Sequence, residues 1–194
     1  MHKNRLEAFS DGVMAIILTI MVLELKVPHS ADPDALRPLL PVFLSYVLSF
    51  VYVGIYWNNH HHLFHAARRV NGAILWANLH LLFWLSLIPF VTGWMGENHY
   101  RTLPVMGYGA ILFMSAVAYY LLGRAMVAHE GCDSPVARAL LHDVKGLASL
   151  ALYAAGIALS YAAPWAGILL YCLVALLWLV PDRRIEKVLA NGTD

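Results

Sequence analysis

Four imidazoles crowd one short stretch of this sequence, Trp57-Asn58-Asn59-His60-His61-His62-Leu63-Phe64-His65. On a helix, His61 and His65 are four apart and share a face, a spacing found in helical metal sites. No HExxH pattern or acidic neighbour accompanies them. The competing reading is therefore a hydrogen-bonding cluster whose rings titrate near neutral pH. A second chemically loaded residue is Asp11, which stands at the front of the apolar run Gly12 to Leu25. A carboxylate there either caps a helix that begins at Gly12 or lies inside a helix that begins earlier. Together Asp11 and the histidines have the makings of a proton relay.

The elements that must hold these groups follow from composition. The chain has 194 residues, 60% of them hydrophobic and 13% charged, and a mean hydropathy of +0.63. Soluble domains carry roughly 45–50% apolar and about 25% charged residues, so water cannot coat this chain. Disorder, collagen and a disulfide scaffold are excluded by the same figures. A net charge of +1 leaves no basic face for nucleic acid. The two cysteines, Cys132 and Cys172, make no framework, and Cys172 sits inside an apolar run. What remains is an all-α membrane protein. Six spans of about 20 residues would use roughly 120, close to the whole apolar share.

Six apolar segments are visible, and they form a single unit over residues 1–194. The expected spans are about 5–25, 39–59, 72–94, 102–127, 144–162 and 165–180. Pro28 stops the first, and only Ala163 and Pro164 separate the last two, which makes a tight helical hairpin. Backbone groups in lipid must be paired internally, so uninterrupted apolar runs of this length read as helices. The first run has the short basic start of a signal peptide (Lys3, Arg5), but Ser10, Asp11 and Gly12 interrupt its front and no small-x-small cleavage site follows. It reads as retained.

With six spans, both termini share a side. That side holds Lys3, Arg5, Arg68, Arg69, Arg124, Arg138, Lys145, Arg183, Arg184 and Lys187, against Lys26, Arg37 and Arg101 opposite. Ten against three places both termini of a multi-pass membrane protein in the cytoplasm. Trp57, Trp76 and Trp178 fall near cytosolic ends and Trp94 and Trp165 near outer ends, with Trp84 alone in mid-span.

The first span carries more polar groups than any other: Arg5, Glu7, Ser10, Asp11 and Thr19. A helix from Gly12 to Leu25 is too short for a hydrocarbon core of about 30 Å at ~1.5 Å per residue. The helix is therefore expected to start near Asn4, with Asp11 almost two turns inside it. A buried carboxylate needs a partner. Arg5 of a neighbouring helix or subunit is one candidate, and the His60–His62 cluster is another. Beyond Asp11, residues Gly12, Ile16, Thr19, Ile20, Leu23 and Val27 form one stripe at helical spacing. Core or lipid contact is the default reading of such a stripe, and Thr19 can bond back to the Ala15 carbonyl.

The segment Arg5-Leu-Glu-Ala-Phe9-Ser10-Asp11 resembles the RxxxFSD signature of the transmembrane protein 175 potassium-channel family. The GVMAIILTIMVLEL that follows is similar to that family's first helix. The resemblance extends through the aromatic, histidine-rich end of the second span and the six-span layout, and so covers most of the chain. It implies a cation leak channel without a TVGYG filter loop. It also implies the bacterial form, with one six-span unit per chain and four chains per channel. In that family four first helices line the pore, with the constriction at an isoleucine matching Ile16 and a threonine matching Thr19 close by. Ile20 and Leu23 would add further apolar layers. Arg5, Phe9, Ser10 and Asp11 would then be packing and assembly residues, bonded to histidines among His60, His61 and His62.

The expected function is thus a homotetrameric potassium-permeable channel that prefers K+ modestly over Na+. Monovalent cations and the bilayer are its partners, and it has no cofactor, no bound metal and no enzymatic chemistry. Glu24 reads either as a ring at the outer mouth or as an interfacial carboxylate beside Lys26. The alternative is a proton-coupled transporter using Asp11 and His60–His62, which calls for broken helices or inverted repeats; neither is evident in the sequence. A membrane enzyme with His61, His65 and His80 as metal ligands lacks paired acids and an activated nucleophile.

Overall fold

The computed structural model describes residues 3–140 and 143–179, apart from the side chain of Ala139; the end of the sixth expected span at Val180 and the charged tail lie outside them. Eight α-helices and one 3-10 turn make up the regular structure among the described residues. Helix α1 (Lys3–Leu23) is followed by the 3-10 turn Pro33–Leu39 and then by α2 (Leu40–Ala66). Helices α3 (Gly72–Ser86), α4 (Ile88–Glu97), α5 (Thr102–Glu130), α6 (Pro135–Leu140), α7 (Val144–Ala162) and α8 (Pro164–Leu179) complete the chain.

Helix α1 begins at Lys3, so Asp11 lies within it and does not cap it. Its 21 residues extend roughly 30 Å, which matches the hydrocarbon core. Helix α2 continues seven residues past the expected end at Asn59. Its polar final turns stay helical because they pack on the start of α1, where tertiary contact outweighs a propensity penalty of a few tenths of a kcal/mol per residue. Lys3 Nζ donates to the Ala67 carbonyl just past the end of α2 (3.1 Å). The histidines therefore sit on the helix, and their directions are set by its geometry.

The third expected span is broken, against the reading of an uninterrupted run. Only Leu87 separates α3 from α4. Pro89 has no N–H to offer the Leu85 carbonyl, and its ring crowds that turn. Leu87 N instead reaches back three residues to Trp84 O (3.2 Å), and the Ser86 hydroxyl donates to Phe83 O (2.7 Å). The break is a proline kink, with helix resuming immediately beyond it. Trp84, the tryptophan out of place in mid-span, donates its indole N–H to His80 Nε2 one turn earlier (2.9 Å).

Helix α5 is the centre of the core, packed against α3, α4, α7 and α8. Its buried Tyr108 joins Tyr52, Tyr153 and Tyr171 in a cluster of tilted and edge-on ring contacts. Hydroxyls in this apolar interior are paired across helices: Ser49 Oγ lies 2.7 Å from Thr92 Oγ1 and 3.0 Å from Tyr108 Oη. Such bonds hold helices together where no hydrophobic driving force separates lipid from protein. Gly131, with φ of 92°, ends α5 in a conformation that favours glycine, and its N–H donates to Val127 O (2.9 Å).

Among the described residues, five helical segments, Lys3–Leu23, Pro33–Ala66, Gly72–Glu97, Thr102–Glu130 and Val144–Ala162, are long and apolar enough to cross a membrane; Pro164–Leu179 is apolar but shorter. The hairpin of α7 and α8 turns on Ala163 alone, whose N–H donates to Leu159 O (2.8 Å). The helices approach closely at Gly167, where a Cβ would sit 2.8 Å from the Gly156 carbonyl oxygen and also meet the Ser160 hydroxyl. Replacing Gly167 by Ala should therefore overpack the hairpin and destabilise the subunit by about 1–3 kcal/mol. A lowered unfolding temperature of the detergent-solubilised variant is the expected result; an unchanged one would mean that the hairpin relaxes freely.

Candidate functional site

Helix α1 presents two unlike faces. Leu6, Ser10, Met14, Ile17 and Met21 recur every three or four residues and are buried against α2, α3 and α4. Gly12, Ile16, Thr19, Ile20 and Leu23 lie on the other side and are all exposed, Ile16 at 59% and Leu23 at 76%. Val27, the last position of the expected stripe, lies beyond the end of the helix and is exposed as well. The Thr19 hydroxyl donates to the Ala15 carbonyl (2.9 Å), so its oxygen lone pairs are what the exposed face offers.

Exposed apolar side chains occur all round a membrane protein, as at Trp76, Phe90 and Leu169. The free face of α1 differs in composition: the small or polar Gly12, Ala15 and Thr19 interrupt its bulky residues, and Arg5 stands at its start. Small residues of this kind let backbones approach closely between membrane helices.

The buried face is held by polar chemistry at the α1 N-terminal end. His60 is almost fully buried, and its Nε2 lies 2.8 Å from Asn78 Oδ1. Asn78 in turn donates through Nδ2 to Ser10 Oγ (2.9 Å), and Ser10 donates to the Leu6 carbonyl (2.9 Å). One chain of hydrogen bonds thus runs from α2 through α3 into α1. With Asn78 Oδ1 as acceptor, Nε2 of His60 carries the ring proton. Nδ1 is then a bare lone pair, buried with no partner among the described residues. The ring also stacks on Phe64 at 4.4 Å.

Asp11 is satisfied elsewhere. Trp57 donates its indole N–H to Asp11 Oδ1 at 3.0 Å. Within the subunit neither Arg5 nor a histidine hydrogen-bonds this carboxylate among the described residues; its partner there is a tryptophan that reads in sequence as a membrane-interface residue. One turn earlier Glu7 Oε1 lies 3.0 Å from His61 Nδ1. Trp57, His61 and His65 stack along α2 at 6.2 and 6.1 Å.

Of the seven residues expected in the motif network, Ser10, Asp11, His60 and His61 join it. Phe9 is exposed, Arg5 makes no ion pair among the described residues, and His62 makes only an edge-on contact with His61 at 5.7 Å. Asn78 and Trp57 are the members that sequence reasoning missed. Asn78 did leave a signal, as a side-chain amide within the apolar run of α3, where an unpaired polar group is costly.

No group of three or more His, Cys, Asp or Glu side chains with metal-holding geometry occurs among the described residues, and His80 is engaged by Trp84. At the far end of α1, Glu24 is exposed, with its carboxylate over Gly93 of α4. Beside it Lys26 pairs with Glu97 at 2.7 Å, a hydrogen bond and charge that hold the ammonium above the usual lysine range.

The sequence profile of a family described as endosomal/lysosomal potassium channel TMEM175 matches residues 5–89, which contain α1 from Arg5 onward, the His60–Asn78–Ser10 chain and the proline kink. A potassium channel of a Chryseobacterium species is 56% identical over 192 residues, covering 99% of this chain and all of the relative. A potassium channel of Streptomyces collinus is 32% identical over 151 residues, 71% of this chain and 73% of that one. The crystal structure of a lysosomal potassium-selective channel TMEM175 homolog from Chamaesiphon minutus superposes with a TM-score of 0.77. It is 27% identical and covers 92% of this chain and 96% of that one.

Removing the central amide tests the network. Asn78→Leu should leave the His60 Nε2–H buried without a partner, at about 1–3 kcal/mol. It also takes from Ser10 the donor it accepts from, while the bond from Ser10 to the Leu6 carbonyl stays. The expected readout is a clear drop in the unfolding temperature of the purified protein. Trp57→Phe, which removes one hydrogen bond at the exposed end, should cost less. Equal stability of Asn78→Leu and the parent would show that the chain of bonds does not hold α1.

Proposed function

The chain belongs to the TMEM175 family of potassium channels, and on that premise we propose that four copies assemble around their α1 helices into a K+-permeable pore. It is a multi-pass membrane protein of an ion-channel family and not an enzyme. One observation carries the proposed pore: Ile16, Thr19, Ile20 and Leu23 share the face of α1 that its own subunit leaves uncovered, while the opposite face is pinned by Ser10 and Asn78. A single helix cannot enclose an aqueous path, so a pore on this face requires further copies of the chain.

In this reading Ile16 forms the constriction, Thr19 stands one turn beyond it, and Ile20 and Leu23 add apolar layers. Aliphatic side chains cannot replace an ion's hydration shell, and a narrow apolar ring dewets readily. Passage is then limited by partial dehydration, which K+ tolerates better than the more tightly hydrated Na+, and the preference is modest. The Thr19 oxygen, its proton committed to Ala15, offers lone pairs to a cation. Glu24 belongs to the proposed outer mouth. Its charge leans toward α4 and Lys26, which weakens its field on a passing ion.

The remaining motif residues, Arg5 and Phe9, are exposed on α1 and are proposed to meet a neighbouring subunit. Both termini lie in the cytoplasm of the inner membrane in this proposal, and α8 is the sixth span. Permeant K+ is the only ion the mechanism requires, and no cofactor enters it. The relay that a proton-coupled transporter would need is weakened by the geometry, since Asp11 is bonded to Trp57 and His60 to Asn78. The kink at Pro89 supplies one broken helix, but the histidines and Asp11 lie away from it on α2 and α1.

The test is K+ flux from liposomes down its gradient, run beside Na+ without a proton gradient. The expected result is passive flux that is faster for K+. Ile16→Asn should raise that flux several-fold and narrow the K+ over Na+ difference, because a polar ring stays wet. Currents and selectivity unchanged by Ile16→Asn would remove this residue from the pore.

A further inference from the structure

Two cavities meet at Cys132, at the end of the molecule where α1 begins. The first, of about 710 Å³, lies between the α2–α3 connection and the turn leading into α6. Its lining includes Arg68, Arg69, His129, Ser134 and Arg138. The second, of about 680 Å³, is a mostly apolar cleft between α5 and α7, lined in part by Tyr119, Tyr120, Val127, Leu140, Val144 and Leu147. Gly131 and Cys132 border both; Arg124 and Asp143 are the charged residues of the apolar cleft, and Asp143 accepts from the Gly146 N–H at the start of α7.

The charges around the first cavity are unevenly spent. Arg68, Arg69 and Arg138 form no ion pair with a carboxylate among the described residues. Glu130, which also lines it, turns one carboxylate oxygen to the backbone N–H groups of Arg68 and Arg69 and keeps the other buried. Asp133 is exposed, and it is its backbone carbonyl that accepts from Arg138 Nη2 (3.2 Å). Three arginines therefore line the cavity against two carboxylates, Glu130, which is held by backbone N–H groups, and the solvated Asp133. Guanidinium forks match phosphate oxygens in geometry and charge.

We propose that this paired site binds an anionic phospholipid, with the phosphate at Arg68, Arg69 and Arg138 and an acyl chain in the α5–α7 cleft. The choice of a lipid over a free phosphate rests on the cleft. It opens between two apolar helices that cross the membrane, so the surrounding medium supplies the chain that fills it. Helix α1 packs on α2, α3 and α4, whereas α7 packs on α5 and α8. The cleft is thus set apart from the face assigned to the pore and faces lipid in the assembled channel. The proposal rests on the proposed orientation, which puts this end at the cytoplasmic leaflet. Basic pockets between helices on that side are where acidic headgroups bind.

The test uses the purified channel in detergent with phosphatidylglycerol or phosphatidylcholine added. Retained lipid is counted by native mass spectrometry, and Cys132 alkylation by a polar maleimide is timed in parallel. The expected results are preferential retention of phosphatidylglycerol and slowed alkylation of Cys132. The variant R68Q/R69Q/R138Q should lose that preference by at least about fivefold, the worth of a single basic residue near an anionic surface. Leu147→Trp, which fills the cleft and leaves Arg68, Arg69 and Arg138 unchanged, should lose it as well. Equal retention of the two lipids by the parent, or unchanged retention by the triple variant, overturns the proposal. Protection of Cys132 by inorganic phosphate, with Leu147→Trp indifferent, also overturns it and assigns the cavity to a soluble anion. Folding of the variants is favoured because Glu130 is held by backbone N–H groups that the substitutions keep; should the triple variant fail to fold, the single Arg→Gln variants give the same comparison. Both readouts are independent of ion flux, so a channel that does not conduct still tests the site.

Discussion

A helix in a bilayer has one inexpensive degree of freedom, rotation about its own axis, because lipid solvates every apolar face equally well. The hydrogen-bonded chain from His60 through Asn78 to Ser10 removes that freedom from α1. In hydrocarbon an unpaired amide is costly, so any rotation that separates Ser10 from Asn78 is opposed by the stranded Asn78 N–H, while Ser10 keeps its bond to Leu6. The consequence is carried along the helix by its rigidity. With Ser10 turned inward, Met14, Ile17 and Met21 follow it, and Ile16, Thr19, Ile20 and Leu23 are turned out. The proposed pore face is thus oriented by a bond two turns away from its narrowest point.

The bonds at the exposed rim do a different job. Asp11 with Trp57 and Glu7 with His61 join α1 to α2 along an exposed seam. The contrast explains why the chain needs polar residues in its first span at all. Apolar packing would bury α1 as well, yet it would do so in several rotational registers of similar energy. Polar groups between membrane helices contribute modest energy, and here they select one register.

Much of this was legible in the residues themselves. The helical character of the apolar runs was legible because such runs have few alternatives in a bilayer, and the start of α1 followed from arithmetic on its length. The end of α2 did not, because polar residues carry it seven residues past Asn59. The outward stripe was readable from the 3.6-residue period, although the period alone does not say which face is covered. The partners were not readable. Asp11 has four plausible donors in sequence, and only the crossing of α1 with α2 selects Trp57. The run His60-His61-His62 left its register open until the extended α2 turned His60 inward and His61 toward Glu7. The break after α3 was signalled by Pro89 and was missed because the surrounding residues are so uniformly apolar that the run reads as continuous.

The uncovered face of α1 also bears on how such a protein changes over generations. Residues that hold the subunit together and residues that face its neighbours lie on opposite sides of one short helix, so a change at Ile16 leaves every buried contact of Met14 and Ile17 in place. Fold and conductance are then separable traits. In the proposed tetramer each codon on that face is also read out four times around a single axis. One nucleotide change therefore rewrites a whole ring at once, which gives this stripe an unusually steep mutational lever on permeation at little cost to folding.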